Sequence, residues 1–139
     1  MKKLSKFVGG LLGGKESNLW LPNDRPYPRL TEADAPAREG IYAVWHLGVR
    51  PQWLRVGATT DLGAAFRTLE QTPWIVTHQG NAGIYVAWGF PPATQYAGMV
   101  RHLTETLTPA FQGEVLMEDL ALDAVAPAIV CALPPGTRT

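Results

Sequence analysis

Residues 40–66 read GIYAVWHLGVRPQWLRVGATTDLGAAF and decide the fold, because two strand patterns are followed by a helix pattern. The run IYAVWHL is rich in β-branched and aromatic residues, VRPQ supplies a turn, and WLRVG is a second strand-like run. We therefore predict a β-hairpin over residues 40–57. Asp61 stands where a helix N-cap is expected. The apolar residues that follow it recur with helical spacing: Leu62, Ala65, Phe66 and Leu69.

A second strand-to-helix unit follows. The polar turn HQGN precedes the strand pattern AGIYVAWGF (residues 82–90), and its GIY at residues 83–85 is interpreted as ordinary β sequence. PPAT then begins a second helix, which Pro109 ends. Its apolar face is formed by Tyr96, Val100, Leu103 and Leu107. The order strand, strand, helix, strand, helix predicts an α/β (α+β) fold with a small, mostly antiparallel sheet flanked by helices.

Length and composition predict one folded domain. The chain has 139 residues, of which 46% are hydrophobic and 17% charged, and this composition excludes wholesale disorder. We predict a flexible basic N-terminal arm over residues 1–20 and a single domain over residues 21–139. Within that domain, residues 39–112 carry the strand and helix patterns and residues 113–139 form a C-terminal extension. The extension is predicted to contain an acidic helix and then a last strand, AIVCAL, over residues 128–133.

Charge is distributed unevenly along the chain. All four lysines lie in the first fifteen residues, which contain no acid, whereas the remainder has eight arginines and twelve acidic residues. Because nucleic-acid affinity depends largely on Lys and Arg contacts to phosphate, the acidic body is unsuited to strong non-specific binding. The basic arm is available to contact an acidic surface.

The sequence also predicts where the protein resides. No apolar run reaches the roughly 18–20 residues of a membrane span, and the short glycine-rich stretch of the arm does not fit a signal peptide. The single Cys131 excludes an internal disulfide. These features predict a cytoplasmic protein without a transmembrane segment.

The hairpin also carries a recognisable motif. The residues concerned are Gly40, Ile41 and Tyr42 in the first strand, Arg55, Val56 and Gly57 in the second, and Thr59 and Leu62 in the G-x-T-x-x-L turn. This pattern resembles the GIY-YIG nuclease superfamily. A further match is VRHLTETLTPAFQ, residues 100–112, which resembles the second helix of that superfamily with its terminal proline. The resemblance covers residues 39–112 and implies a GIY-YIG-like fold.

The resemblance also implies which residues to compare. In active members, a tyrosine serves as base or positioner, an arginine stabilises the phosphate charge and a glutamate holds a divalent metal. Position by position, the two motif tyrosines fall on Tyr42 and Arg55, the arginine on Ala65 and the glutamate on Val100. Three of the four side chains are thus replaced. The resemblance therefore implies a catalytically degenerate domain without a cofactor, and Mg²⁺ or Mn²⁺ enters only if nuclease activity is retained.

Three functional hypotheses follow. The first is a pseudo-nuclease that acts as a binding or regulatory module for a protein or nucleic-acid partner, with a retained phosphate-facing surface formed by Tyr42, His46, Arg55 and Arg67. The second is a metal-dependent endonuclease with relocated residues drawn from Tyr42, Arg55, Arg67 and Glu105. The third is a regulator or structural protein of phage or mobile-element origin that acts through protein contacts. The three histidines have no metal-site spacing, so no histidine metal site is predicted.

Overall fold

The computed structural model of the chain describes residues 19–22, 27–46, 52–76, 83–112 and 116–134. The strands are β1 (Gly40–His46), β2 (Gln52–Thr59) and β3 (Ile84–Gly89). The helices are α1 (Leu62–Glu70), the four-residue α2 (Pro73–Val76) and α3 (Tyr96–Leu107). Two short 3₁₀ helices, Leu30–Glu32 and Ala93–Gln95, precede β1 and α3. The α/β (α+β) prediction, a small antiparallel sheet with flanking helices, is confirmed.

The sheet has the strand order β2-β1-β3, and both pairings are antiparallel. The register of the hairpin runs from Gly40 opposite Thr59 to His46 opposite Gln52. The predicted hairpin is therefore present, and its second strand continues two residues further, to Thr59. Its turn, residues 47–51, lies outside the described residues. β1 is buried at all seven positions, because a strand pairs on each side of it and helices cover both faces of the sheet.

Side-chain alternation along β1 divides the core into two halves. Tyr42 and Val44 lie on the face covered by α1, where they pack with Phe66 and other apolar side chains. Ile41, Ala43 and Trp45 lie on the opposite face, which α3 covers. The domain therefore has three layers, with α1 and the first 3₁₀ helix on one side of the sheet and α3 on the other.

α1 begins and α3 ends as their sequences predict, whereas α3 begins at Tyr96, after the 3₁₀ helix over Ala93–Gln95, and the short α2 was not predicted. The Asp61 side chain caps α1 by accepting a hydrogen bond from the Ala64 N–H at 3.0 Å, and the four predicted apolar positions of α1 are all buried. α3 ends at Leu107, after which Thr108 adopts a left-handed conformation with φ of 45°. Pro109 follows and cannot continue the helix. Within the described ranges, no helix is long and apolar enough to cross a lipid bilayer.

Both outer strands of the sheet are covered by irregular segments. On the β2 side, the Phe111 N–H donates to the Leu54 carbonyl at 2.9 Å, and the Leu120 N–H donates to the Ala58 carbonyl at 3.0 Å. On the β3 side, the backbone of Trp88 exchanges two hydrogen bonds with Leu21, at 2.6 and 2.9 Å. An uncovered strand edge is a template for pairing with another chain, and these segments shield most of both edges.

The C-terminal extension differs from the prediction. Residues 116–134, called the strap from here on, contain neither a helix nor a strand, so the predicted acidic helix is wrong over these residues and the predicted strand over 128–133 is wrong outright. The strap's backbone bonds singly to β2 and then lies over α3, where the Ile129 N–H donates to the Gly98 carbonyl at 2.9 Å. A segment that lies on a helix has no neighbouring strand with which to form a ladder.

The far end of the strap meets the other end of the described chain. The indole N–H of Trp20 donates to the Ala132 carbonyl at 2.8 Å, and Trp20 is buried against the α3 face of the core. The sequence assigned Trp20 to the flexible arm, and this boundary needs correction because the folded domain includes Leu19 and Trp20. The rest of the predicted arm, residues 1–18, lies outside the described residues.

Close contact between α3 and the strap generates a stability prediction. A Cβ atom at Gly98 would lie 2.5 Å from Ile129 Cγ1 and 2.7 Å from the Pro127 carbonyl oxygen. Gly→Ala in a helix otherwise stabilises a protein by about 1 kcal/mol. We expect Gly98→Ala to lower the free energy of unfolding instead, as measured by urea denaturation. Ile129→Ala in the same background should recover part of the loss, and a Gly98→Ala variant more stable than the wild type would contradict the contact.

Candidate functional site

Tyr42 and Arg55, the two polar side chains of the motif, meet inside the domain. Arg55 Nε donates to Tyr42 Oη at 2.9 Å, Nη1 donates to the Phe111 carbonyl at 2.8 Å, and Nη2 donates to Asp119 Oδ2 at 2.7 Å. Tyr42 is 0% exposed and Arg55 is 3% exposed. The motif residues thus form a buried polar cluster that reaches across β1, β2 and the strap.

The strand register explains why these two side chains meet. Tyr42 pairs with Gly57, and Val44 pairs with Arg55, so Tyr42 and Arg55 are diagonal neighbours on the α1 face of the sheet. Gly57 leaves the space that the phenol ring occupies, because a Cβ atom there would lie 3.1 Å from Tyr42 Oη and 3.3 Å from Cζ. The glycine of the VG turn therefore has a packing role in this chain.

Asp119 compensates the buried charge of Arg55. Its Oδ2 atom accepts the Arg55 hydrogen bond and a second one from the Leu116 N–H, also at 2.7 Å. The Asp119 side chain is only 17% exposed. A buried guanidinium without a carboxylate would be strongly unfavourable, so the strap completes the charge balance of the sheet.

The environment keeps the Tyr42 hydroxyl protonated. Burial raises the pKa of Tyr42 to about 12; the neighbouring Arg55 charge and hydrogen bond act in the opposite direction, and Asp119 adds to the rise. A phenol with such a pKa is neutral at physiological pH and, with no exposed surface, does not reach a solvent-borne substrate.

The four positions matched to the nuclease motif are divided between the two faces of the sheet. Tyr42 and Arg55 are in contact, and Ala65 is buried in α1, which covers the same face of the sheet. Val100 is buried in α3 on the opposite face. The sheet therefore lies between Val100 and Tyr42, whereas Val100 and Arg55 both line one cavity at the β2 edge.

A divalent metal does not fit these positions. Ala65 and Val100 offer no ligand atoms, and Asp119 already neutralises Arg55. The described residues contain no group of three His, Cys, Asp or Glu side chains that could hold a metal ion. No catalytic step through a metal follows from this arrangement.

The other predicted binding residues lie apart from Tyr42 and Arg55. His46 is four residues along β1 from Tyr42, a separation of about 13 Å, and its Nε2 atom is 2.9 Å from Gln52 Oε1. Arg67 projects from α1, forms an ion pair with Glu70 and donates to the Leu30 carbonyl at 3.2 Å. The expected phosphate-facing surface is therefore not assembled: Arg55 faces the interior, and Arg67 is paired elsewhere.

Glu105, the remaining candidate for a relocated nuclease, is an exposed residue of α3. Its carboxylate forms an ion pair with Arg101 at 2.9 Å, one helical turn away. α3 covers the sheet face opposite to that of Tyr42. Glu105 and Tyr42 therefore share no surface.

A cavity that was not predicted from the sequence lies beside β2. It has a volume of about 390 Å³ and borders a second depression of about 340 Å³ over α3, with Val100 and Leu122 lining both. We call the first cavity the edge groove. Its lining residues are Arg55, Val56, Gly57, Ala58, Val100, Gln112, Asp119, Leu120, Ala121 and Leu122.

One sequence signal pointed towards this region. An arginine inside an apolar strand needs a nearby acid when both faces of the sheet are covered, and the acidic extension is one segment that could supply it. The sequence did not identify Asp119 as that acid, because the pairing joins residues 64 positions apart through an irregular segment.

No protein-family model, curated protein or solved structure matches this chain. The resemblance to GIY-YIG nucleases therefore stays a prediction that rests on residues in β1, β2 and α3.

The buried cluster predicts that substitution of Arg55 lowers the free energy of unfolding much more than substitution of Arg67. Arg55→Met leaves Asp119 partly buried without its cation, so we expect the free energy of unfolding to fall by about 3 kcal/mol in urea denaturation. Arg67→Met is the matched control, because its ion pair is half-exposed and should be worth about 0.5 kcal/mol or less. Equal losses in the two variants would contradict the role assigned to Arg55.

The raised pKa of Tyr42 predicts an alkaline loss of stability. In the unfolded chain a tyrosine ionises near pH 10, whereas in the folded protein Tyr42 ionises only at about pH 12. Its stabilising contribution is therefore complete below pH 10 and is lost as the pH rises towards 12. We expect stability, measured by denaturation at a series of pH values, to fall more steeply in the wild type than in Tyr42→Phe. Parallel curves would argue against the assigned environment.

Proposed function

We propose that this chain is a catalytically degenerate GIY-YIG-like domain that acts as a binding module for a protein partner. The observation that carries the proposal is the inward position of Arg55, whose guanidinium is bonded to Tyr42, Phe111 and Asp119. In the nuclease interpretation, the motif residues need access to a phosphodiester. Here they stabilise the interior.

The strand and helix order supports the ancestry in this proposal. β1 carries GIY, β2 carries the RVG and G-x-T elements, and α3 carries the leucine spacing that ends at a proline. The same positions support the loss of chemistry. Tyr42 has a pKa of about 12 and no solvent exposure, so it is a poor base, and Val100 supplies no metal ligand.

Surface charge favours a protein over a nucleic acid as the partner. Within the described ranges there are five arginines: Arg29, Arg38, Arg55, Arg67 and Arg101. The same ranges contain nine acidic residues: Glu32, Asp34, Glu39, Asp61, Glu70, Glu105, Glu118, Asp119 and Asp123. Three of the arginines are already in ion pairs with acids. A surface of this charge repels phosphate backbones.

Exposed apolar side chains on the strap also favour a protein partner. Met117 is 91% exposed, Val125 81% and Val130 79%. Single exposed apolar residues are common, but these large ones come from one irregular segment that carries three acids and no basic residue within residues 116–134. An apolar surface with acidic neighbours suits protein contacts.

The proposal is tested first by a cleavage assay. Purified full-length protein is incubated with plasmid DNA, single-stranded DNA and RNA in the presence of Mg²⁺ or Mn²⁺, with Tyr42→Phe as the matched control. We expect no cleavage by either protein, because the motif residues are buried. Cleavage that disappears in Tyr42→Phe would establish the endonuclease alternative instead.

Nucleic-acid binding is the second discriminating measurement. We expect fluorescence anisotropy to detect no binding of labelled DNA or RNA at physiological salt by a variant whose four arm lysines are replaced by glutamine. Binding by the wild type alone would belong to the basic arm. Salt-dependent binding that persists in the variant would mean that the folded domain itself binds nucleic acid, against the proposal of a protein partner.

A further inference from the structure

One side chain forms hydrogen bonds to the outer edge of β2 at a position where no described backbone segment does so. The outward-facing carbonyls of Leu54 and Ala58 accept hydrogen bonds from backbone N–H groups. Val56 lies between them and forms two hydrogen bonds with the Gln112 carboxamide. Gln112 Nε2 donates to the Val56 carbonyl at 2.6 Å, and the Val56 N–H donates to Gln112 Oε1 at 3.1 Å. Gln112 thus occupies the place that a residue of a neighbouring strand would take.

A carboxamide has the same donor and acceptor groups as a peptide unit. Because the Gln112 carboxamide sits on rotatable single bonds, it can be exchanged for a real peptide group without breaking the β1–β2 pairing. The exchange replaces two hydrogen bonds with two of the same kind, so its net free-energy cost is small. Gln112 is therefore suited to act as a displaceable cover.

The edge groove lies directly outside this position. Val56, Ala58 and Gln112 line it together with apolar side chains of α3 and the strap, Val100 and Leu122 among them. In a β-strand, the N–H and C=O of one residue point to the same side, so the Ala58 N–H points outward with its carbonyl. The groove thus presents backbone hydrogen-bonding groups of the β2 edge beside apolar side chains of α3 and the strap.

The charge around the groove restricts the ligand. The Arg55–Asp119 pair is internally neutral, Arg101 and Glu105 are paired over α3, and Asp123 lies in the adjoining depression. Among the described residues that line the groove and the adjoining depression, both arginines are therefore paired, and Asp123 is an acid outside these ion pairs. A complementary ligand carries positive charge beside an apolar, extended segment.

We infer that the edge groove binds an extended apolar peptide segment flanked by Lys or Arg, which displaces Gln112 and pairs with Val56. This is strand addition at a gap one residue wide. The inference rests on the proposed function, since the peptide belongs to a protein partner, and it names the surface that this partner uses. The volume of about 390 Å³ lies in the lower part of the range of ligand pockets.

The test uses the synthetic peptide acetyl-Lys-Val-Ala-Val-Lys-amide and the ¹⁵N-labelled full-length protein in NMR titrations. We expect millimolar peptide to shift the Val56 backbone amide and the Gln112 side-chain amide signals. Gln112→Ala should bind about tenfold more tightly, because the peptide no longer competes with an internal carboxamide. Gln95→Ala, at an exposed glutamine before α3, is the matched control and should bind like the wild type.

Two further peptides keep the test decisive even if Gln112→Ala fails to fold. The same peptide with an N-methyl group on its central alanine loses the donor, and its Glu-flanked counterpart reverses the charge. We expect both to bind the wild type at least several-fold more weakly. Equal binding by the N-methylated peptide, or no shift at Val56 with any peptide, would overturn the inference.

These outcomes separate the inference from the proposed function. Nucleic-acid cleavage in the assays above would overturn the binding-module proposal, whatever the groove binds. Absence of peptide binding, in a protein that neither cleaves nor binds nucleic acid, would overturn only the inference that the edge groove binds a peptide. The exposed apolar residues of the strap would then remain as the contact surface.

Discussion

A charged group in the interior requires a partner, and the Arg55 guanidinium determines much of what surrounds it. Three hydrogen bonds join it to β1 through Tyr42, to the segment after α3 through Phe111, and to the strap through Asp119. Because the charge cannot be left uncompensated, the strap has to return to β2. The cover over the β2 edge and the position of the strap across α3 are both consequences of that return.

The regular elements were predictable because each depends on local pattern. Asp61 and the apolar spacing after it predict α1, and the apolar run in β1 predicts a strand buried on both faces. The strap was not predictable in the same way. Its acidic and apolar letters resemble those of an amphipathic helix and a strand, but its hydrogen bonds go to β2, to α3 and to Trp20, which are distant in sequence.

The candidate site was predictable only in part. The resemblance grouped Tyr42 and Arg55 on one surface, and the register of the hairpin brings the two side chains together. The sequence did not predict that the two side chains face the interior. β2 is buried on both faces, so its sequence WLRVG has no polar face that would reveal the orientation of Arg55. The groove was missed for another reason: a glutamine that replaces a peptide group leaves no sequence signature.

Contacts of the strap close only after most of the chain has been synthesised on the ribosome. The hydrogen bond between Trp20 and Ala132 joins residues 112 positions apart, and the ion pair between Arg55 and Asp119 joins residues 64 positions apart. The hairpin, α1 and β3 can form as soon as they emerge, but Arg55 has no carboxylate until residue 119 follows, and Leu120 closes the β2 edge only after that. For that interval the nascent chain carries an open strand edge beside an uncompensated cation. Such an open edge is a template for mispairing with a second nascent chain.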